Sequence, residues 1–182
     1  MLSKALLDGT EASELKAGRL HPQGFPYAGK RLQGNGALGN VIGNPLETIV
    51  ALSHLIFEGT LDRFPGIKIC SAHGGGYLPF YIARSDRCTT RSPAPCRNIK
   101  PVRKAPREYL KQLYFNSMVF TSEGLRHLVA GSGVGQVLMG TDFPAGWTDE
   151  AVDHSPLEGS DRSGLVVKTA SKVTLTMEAA PQ

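Results

Sequence analysis

The sequence predicts an α/β fold built on parallel strands, and three observations carry that expectation. Short apolar segments alternate with amphipathic helical ones through the middle of the chain, the order in which crossover helices cover a parallel sheet. Glycines stand between strand and helix, most densely in Ser71-Ala72-His73-Gly74-Gly75-Gly76. Three apolar runs each lead to one titratable or metal-capable side chain: Leu20 to His21, residues 67–72 to His73, and Val137-Leu138-Met139-Gly140-Thr141 to Asp142. The carboxyl ends of strands in a parallel barrel converge on its active site. A barrel and an open sheet both satisfy this pattern.

Taken in order, residues 1–18 are polar and form an atypical N-terminal segment. Asn44 reads as a helix N-cap, with Pro45 at the first helical position and Glu47 three residues after the cap. The helix is expected to reach about Arg63, with a core stripe of Ile49, Leu52 and Ile56 flanked by Leu55, before Phe64-Pro65-Gly66 breaks it. Residues 67–72 form a strand and 77–84 the next helix. Residues 106–113 are expected as a helix, 114–117 as a strand, 122–130 as a helix ended by Gly131, and 136–139 as a strand. Residues 155–182 form a poorly defined tail with no helical stripe.

With 41% hydrophobic and 20% charged residues, the chain has the composition of a globular unit that buries a core, not of a disordered one. No run of 18 or more apolar residues is present, and the N-terminus lacks a signal peptide's apolar segment, so the expectation is a cytoplasmic protein without a membrane span. Cys70, Cys88 and Cys96 are odd in number and form no Cys-x-x-Cys pair, which predicts reduced thiols. The net charge of +4 is unevenly placed: Arg84, Arg87, Arg91, Arg97, Lys100, Arg103, Lys104 and Arg107 crowd one stretch, with Asp86 its only acid. Four prolines, no interleaved aromatics and no binding motif favour a solvated loop or a subunit contact there over a nucleic-acid surface.

His21, His73 and Asp142 lie 52 and 69 residues apart, so only a fold can unite them. His54, His127 and His154 read as ordinary structural or surface histidines. Gly74-Gly75-Gly76 reads either as bare backbone that a ligand can approach or as a tight turn into the next helix.

The wording of five segments is more specific. His21-Pro22-Gln23-Gly24, Gly43-Asn44-Pro45-Leu46-Glu47-Thr48, the run from Phe57 through Pro65, Ala72-His73-Gly74-Gly75-Gly76 and Gly140-Thr141-Asp142-Phe143-Pro144 together resemble the amidohydrolase-related family. The resemblance is to its aminocarboxymuconate-semialdehyde and resorcylate decarboxylase branch, and it spans residues 19–154. It implies a metal-dependent (β/α)8 barrel, of which this chain holds strands five to eight. It further implies His21 and Asp142 as ligands of a divalent zinc or manganese ion, and His73 as the proton-transferring acid/base. Arg84 matches an arginine that contacts a substrate carboxylate across a dimer interface. The implied activity is decarboxylation of a small aromatic or unsaturated carboxylate by a homo-oligomer.

The family's first strand carries a His-x-His or Glu-x-His pair, and this chain contains none. A full barrel needs about 250 residues. Two further readings therefore stand beside the decarboxylase: a metal-dependent hydrolase of C–N, ester or lactone bonds, and an inactive remnant that acts as an association module. An open half-barrel would also expose strand edges that favour association.

Overall fold

The computed structural model describes residues 17–20, 29–91, 96 and 101–140. Four strands, β1 (Ala17–Leu20), β2 (Lys68–Ser71), β3 (Tyr114–Asn116) and β4 (Val137–Leu138), form one sheet in the order β1-β2-β3-β4, every pair parallel. Each crossover thus moves to the next position in the same direction. Doubly wound sheets instead reverse at a switch point, and this order has no reversal. The predicted parallel α/β sheet is present.

Strand β2 shows how the sheet acquires two faces. Ile69 and Ser71 are buried while Lys68 and Cys70 are half-buried, the period of two that a pleated strand imposes. The register sets Ser71 beside Phe115 and Phe115 beside Val137. Ile69, Phe115 and Val137 join the helices in one core, with Leu52, Ile56, Leu78, Leu110 and Leu128 among the buried partners. Lys68, Cys70, Tyr114 and Asn116 occupy the opposite, less buried face.

The first helix departs from its expected start. Helix α1 (Asn44–Phe57) is entered through a π-helical turn, Gly39–Gly43, and Asn44 is already helical at φ −60°, ψ −50° instead of capping the helix. Proline supplies the reason. Pro45 has no N–H for the α-helical bond to Val41, and the wider ladder runs from Asn44 N–H to the Gly39 carbonyl. Its end is also earlier than expected: Gly59, left-handed at φ 75°, separates α1 from the short α2 (Thr60–Arg63).

Helix α3 (Leu78–Arg91) runs a further turn and more beyond the expected Arg84. Asp86, buried in its middle, is ion-paired with the Arg107 side chain and accepts the Arg107 backbone N–H at 3.0 Å. Arg103 likewise donates its backbone N–H to Asp62. The basic stretch is therefore partly helix and partly a strap tied to the buried Asp86 and the half-buried Asp62. Residues Pro106–Gln112 form a 3-10 helix, not the expected α-helix, and α4 (Ser122–Ser132) passes through Gly131 to stop at Gly133, φ 96°. Thr121 caps α4 by accepting the Gly124 N–H at 3.0 Å.

Cys88 and Cys96 form a disulfide, which corrects the expectation of reduced thiols. An odd cysteine count argues against a fully paired framework and says nothing about a single pair. Among the described residues, no helix is long and apolar enough to cross a membrane.

Candidate active site

The carboxyl end of β2 leads into a turn of unusual backbone. Ala72 is still extended, and then His73, Gly74, Gly75 and Gly76 take φ values of 55°, 56°, 82° and 63°. Glycine enters this region freely, but a residue with a Cβ is strained there by about 1–2 kcal/mol. His73 is the member of the run that bears that strain. A strained residue at a strand's carboxyl end is an observation that points toward function.

The glycines answer a different requirement. A Cβ on Gly74 would fall on Val119, one on Gly75 would lie 2.7 Å from the Phe115 ring, and one on Gly76 would fall on the Pro45 carbonyl. Every one of those spaces is filled by protein. Of the two readings of the triplet, the tight turn packed against α1 and β3 is the one the structure supports.

His73 is held from two sides. Its Nδ1 lies 3.3 Å from the hydroxyl of Thr48, a buried residue of α1. The next backbone N–H, that of Gly74, donates to the Asn116 side-chain carbonyl at 2.8 Å. Asn116 ends β3, so the ends of β2 and β3 are joined by a side chain. The neighbouring pair is joined as well: Ser117 N–H donates to the Leu138 carbonyl at 2.8 Å, and Gly140 N–H donates to the Ser117 hydroxyl at 3.2 Å.

His21 and Asp142 lie outside the described residues. His21 directly follows the last residue of β1, and Asp142 stands two residues beyond Gly140. Among the described residues, no group of three or more His, Cys, Asp or Glu side chains could hold a metal. Arg84 is exposed on α3 and lines a groove of about 430 Å³ between α1 and α3, together with Ile49, Ser53, Tyr77 and Tyr81. A second cavity, of about 470 Å³, opens at the amino ends of the strands around Lys68, Lys104 and Tyr114, away from the His73 pole.

The remaining described histidines are accounted for locally. His54 pairs with Glu58 on the surface of α1, and His127 stacks on Phe80 with ring centroids 4.8 Å apart. Sequence reasoning missed Thr48 and Asn116. Asn116 carried a usable signal, because it ends a strand just as the predicted site residues do; Thr48 carried none, since its role depends on where α1 meets the turn.

No protein-family model matches the chain. Two curated relatives are named 2-amino-3-carboxymuconate-6-semialdehyde decarboxylase. The one from Dictyostelium discoideum is 38% identical over 104 residues, covering 57% of this chain and 28% of the relative. The one from Caenorhabditis elegans is 29% identical over 138 residues, covering 73% and 34%. The chain thus spans about a third or less of the length of these relatives. A crystal structure of 5-carboxyvanillate decarboxylase from Novosphingobium aromaticivorans, complexed with manganese and a nitrobenzoic acid, aligns with a TM-score of 0.75 at 24% identity. That alignment covers 85% of this chain and 46% of the other.

Proposed function

We propose that the chain belongs to the amidohydrolase-related family, in its aminocarboxymuconate-semialdehyde and resorcylate decarboxylase branch, and that it carries the decarboxylase chemistry of strands five to eight of a (β/α)8 barrel. The unreversed strand order and the half-length match to a solved neighbour support this reading. The half-barrel runs from residue 17 to residue 154, starting two residues before the expected 19 because Ala17 and Gly18 pair with Lys68 and Ile69 in the sheet. His21 and Asp142 would hold a divalent metal, His73 is the acid/base, and Arg84 receives a substrate carboxylate in a homo-oligomer.

An imidazole and a carboxylate suit zinc or manganese, and manganese is bound in the solved 5-carboxyvanillate decarboxylase. Two donors are fewer than such ions ordinarily take, so a bound ion would need further ligands besides His21 and Asp142. When bound, it polarises a carbonyl or phenolate oxygen of the substrate. His73, as imidazolium, delivers a proton to the carbon that bears the carboxylate. The bond from that carbon to the carboxylate then breaks, its electron pair returns to the conjugated system, and carbon dioxide leaves. The substrate is a small aromatic or unsaturated carboxylate, of the kind named for the relatives.

The observation that carries this reading is His73, held in a left-handed turn at a strand's carboxyl end and fixed by Thr48 and Asn116. The test is metal analysis of the purified chain, with carbon dioxide release measured from aminocarboxymuconate semialdehyde and 5-carboxyvanillate. Stoichiometric metal that is lost in His21→Ala and Asp142→Ala, and gas release abolished by His73→Gln, are expected. Hydrolytic products would transfer the chain to the hydrolase reading. The missing His-x-His or Glu-x-His pair favours a second reading, an inactive association module, which predicts no bound metal at all.

A further inference from the structure

We propose that Thr48 is a positioning residue that determines which ring nitrogen of His73 carries the proton. A threonine hydroxyl has one hydrogen to donate and lone pairs to accept with. The Thr48 hydroxyl lies 2.9 Å from the Asn44 carbonyl, one turn back on α1, and 3.3 Å from His73 Nδ1. A carbonyl oxygen can only accept, and it is the nearer of the two. The Thr48 proton is therefore directed to Asn44, and the Thr48 oxygen faces His73 as an acceptor. Nδ1 must then be the protonated nitrogen, and in the neutral imidazole the lone pair belongs to Nε2.

The consequence deepens the proposed function and rests on it only in naming what the nitrogen does. Nε2 becomes the atom that takes up a proton and delivers it, while Nδ1–H stays bonded to Thr48 in both charge states. Burial of Thr48, 1% exposed, keeps water from competing for that bond. The left-handed backbone of His73 and the Asn116 bond to Gly74 fix the ring's origin, and Thr48 fixes its proton.

The test is a long-range proton–nitrogen NMR spectrum of the histidine rings, recorded on the full chain without metal or substrate above the pH at which imidazole titrates. His73→Gln identifies the signal by its disappearance. Wild type and Thr48→Ser, which keeps the hydroxyl, are expected to show the Nδ1–H form. In Thr48→Val the ratio of Nδ1–H to Nε2–H should fall about fivefold, the equilibrium worth of one ordinary hydrogen bond. A wild-type Nε2–H form, an unchanged ratio in Thr48→Val, or failure of Thr48→Ser to keep the wild-type ratio would each overturn the proposal. If Thr48→Val does not fold, the wild-type and Thr48→Ser spectra still decide it. Because no substrate is present, absence of decarboxylation leaves this result untouched.

Discussion

Replacing Gly76 by alanine tests the combined backbone and packing requirement of the glycine turn, and Gly59, at a positive φ in open space, is the control for left-handed strain alone. Gly76 has φ 63° and ψ −129°, and its missing Cβ points at the Pro45 carbonyl, which belongs to the rigid start of α1. Backbone strain contributes about 1–3 kcal/mol and overpacking a similar amount. Loss of unfolded-state entropy returns about 0.4–1 kcal/mol. The net loss for Gly76→Ala is therefore about 2–5 kcal/mol. Gly59, φ 75°, has nothing within 4 Å of the same position, so only the left-handed strain remains and the loss is about 1 kcal/mol. With a urea slope of about 2 kcal/mol per molar, the unfolding midpoint moves down by about 1–2.5 M for Gly76→Ala and by about 0.5 M for Gly59→Ala. Equal shifts in the two variants at equal slopes would refute the added cost assigned to Gly76.

Tyr109 is fully buried, and burial, followed by its 2.8 Å hydrogen bond to Asp62 and that carboxylate's charge, raises its pKa above 10.0. The unfolded chain gives up this proton first, so stability is untouched below about pH 10 and falls as the pH rises beyond it; denaturant unfolding from pH 9 to 11 should show the fall, and Tyr109→Phe should flatten it. Reducing the Cys88–Cys96 disulfide, which closes a short loop between residues 8 apart, is expected to cost about 2.5 kcal/mol by loop entropy, read as a lower midpoint with reductant that Cys88→Ser reproduces without it. Within the described residues β1 and β4 each pair on one side, and such edges favour association; light scattering should give a mass above one chain, and a monomer that unfolds cooperatively would refute this.

The alternation of strand and helix was legible because it depends on local apolar runs, and each expected central strand appears within a residue or two. What escaped depends on contacts between distant residues. Helix α3 continues through an arginine- and threonine-rich stretch because Asp86 finds Arg107 in a different segment. The π-turn before α1 follows from a donor that Pro45 lacks, whereas the sequence pattern Asn-Pro-x-Glu imitates a cap. In the candidate site, His73 was legible from its place at a strand's end. The Thr48 and Asn116 contacts to that turn required the packing of α1 and β3 against it.

The two parts of His73-Gly74-Gly75-Gly76 thus report different things. Each glycine is required by a protein neighbour, so the triplet reports how β2, β3 and α1 pack, whether or not chemistry takes place beside them. His73 differs in its backbone: its φ of 55° is one that asparagine or glycine would hold with less strain. Removing the imidazole forfeits the Thr48 contact, about 1 kcal/mol, together with the ring's other interactions, and relieves about 1–2 kcal/mol of backbone strain. Because the relieved strain offsets part of that loss, His73→Asn is expected to lose less stability than Gly76→Ala. Should His73→Asn prove as damaging as Gly76→Ala, the histidine would be a packing residue like its neighbours, and the acid/base role would lose its structural support.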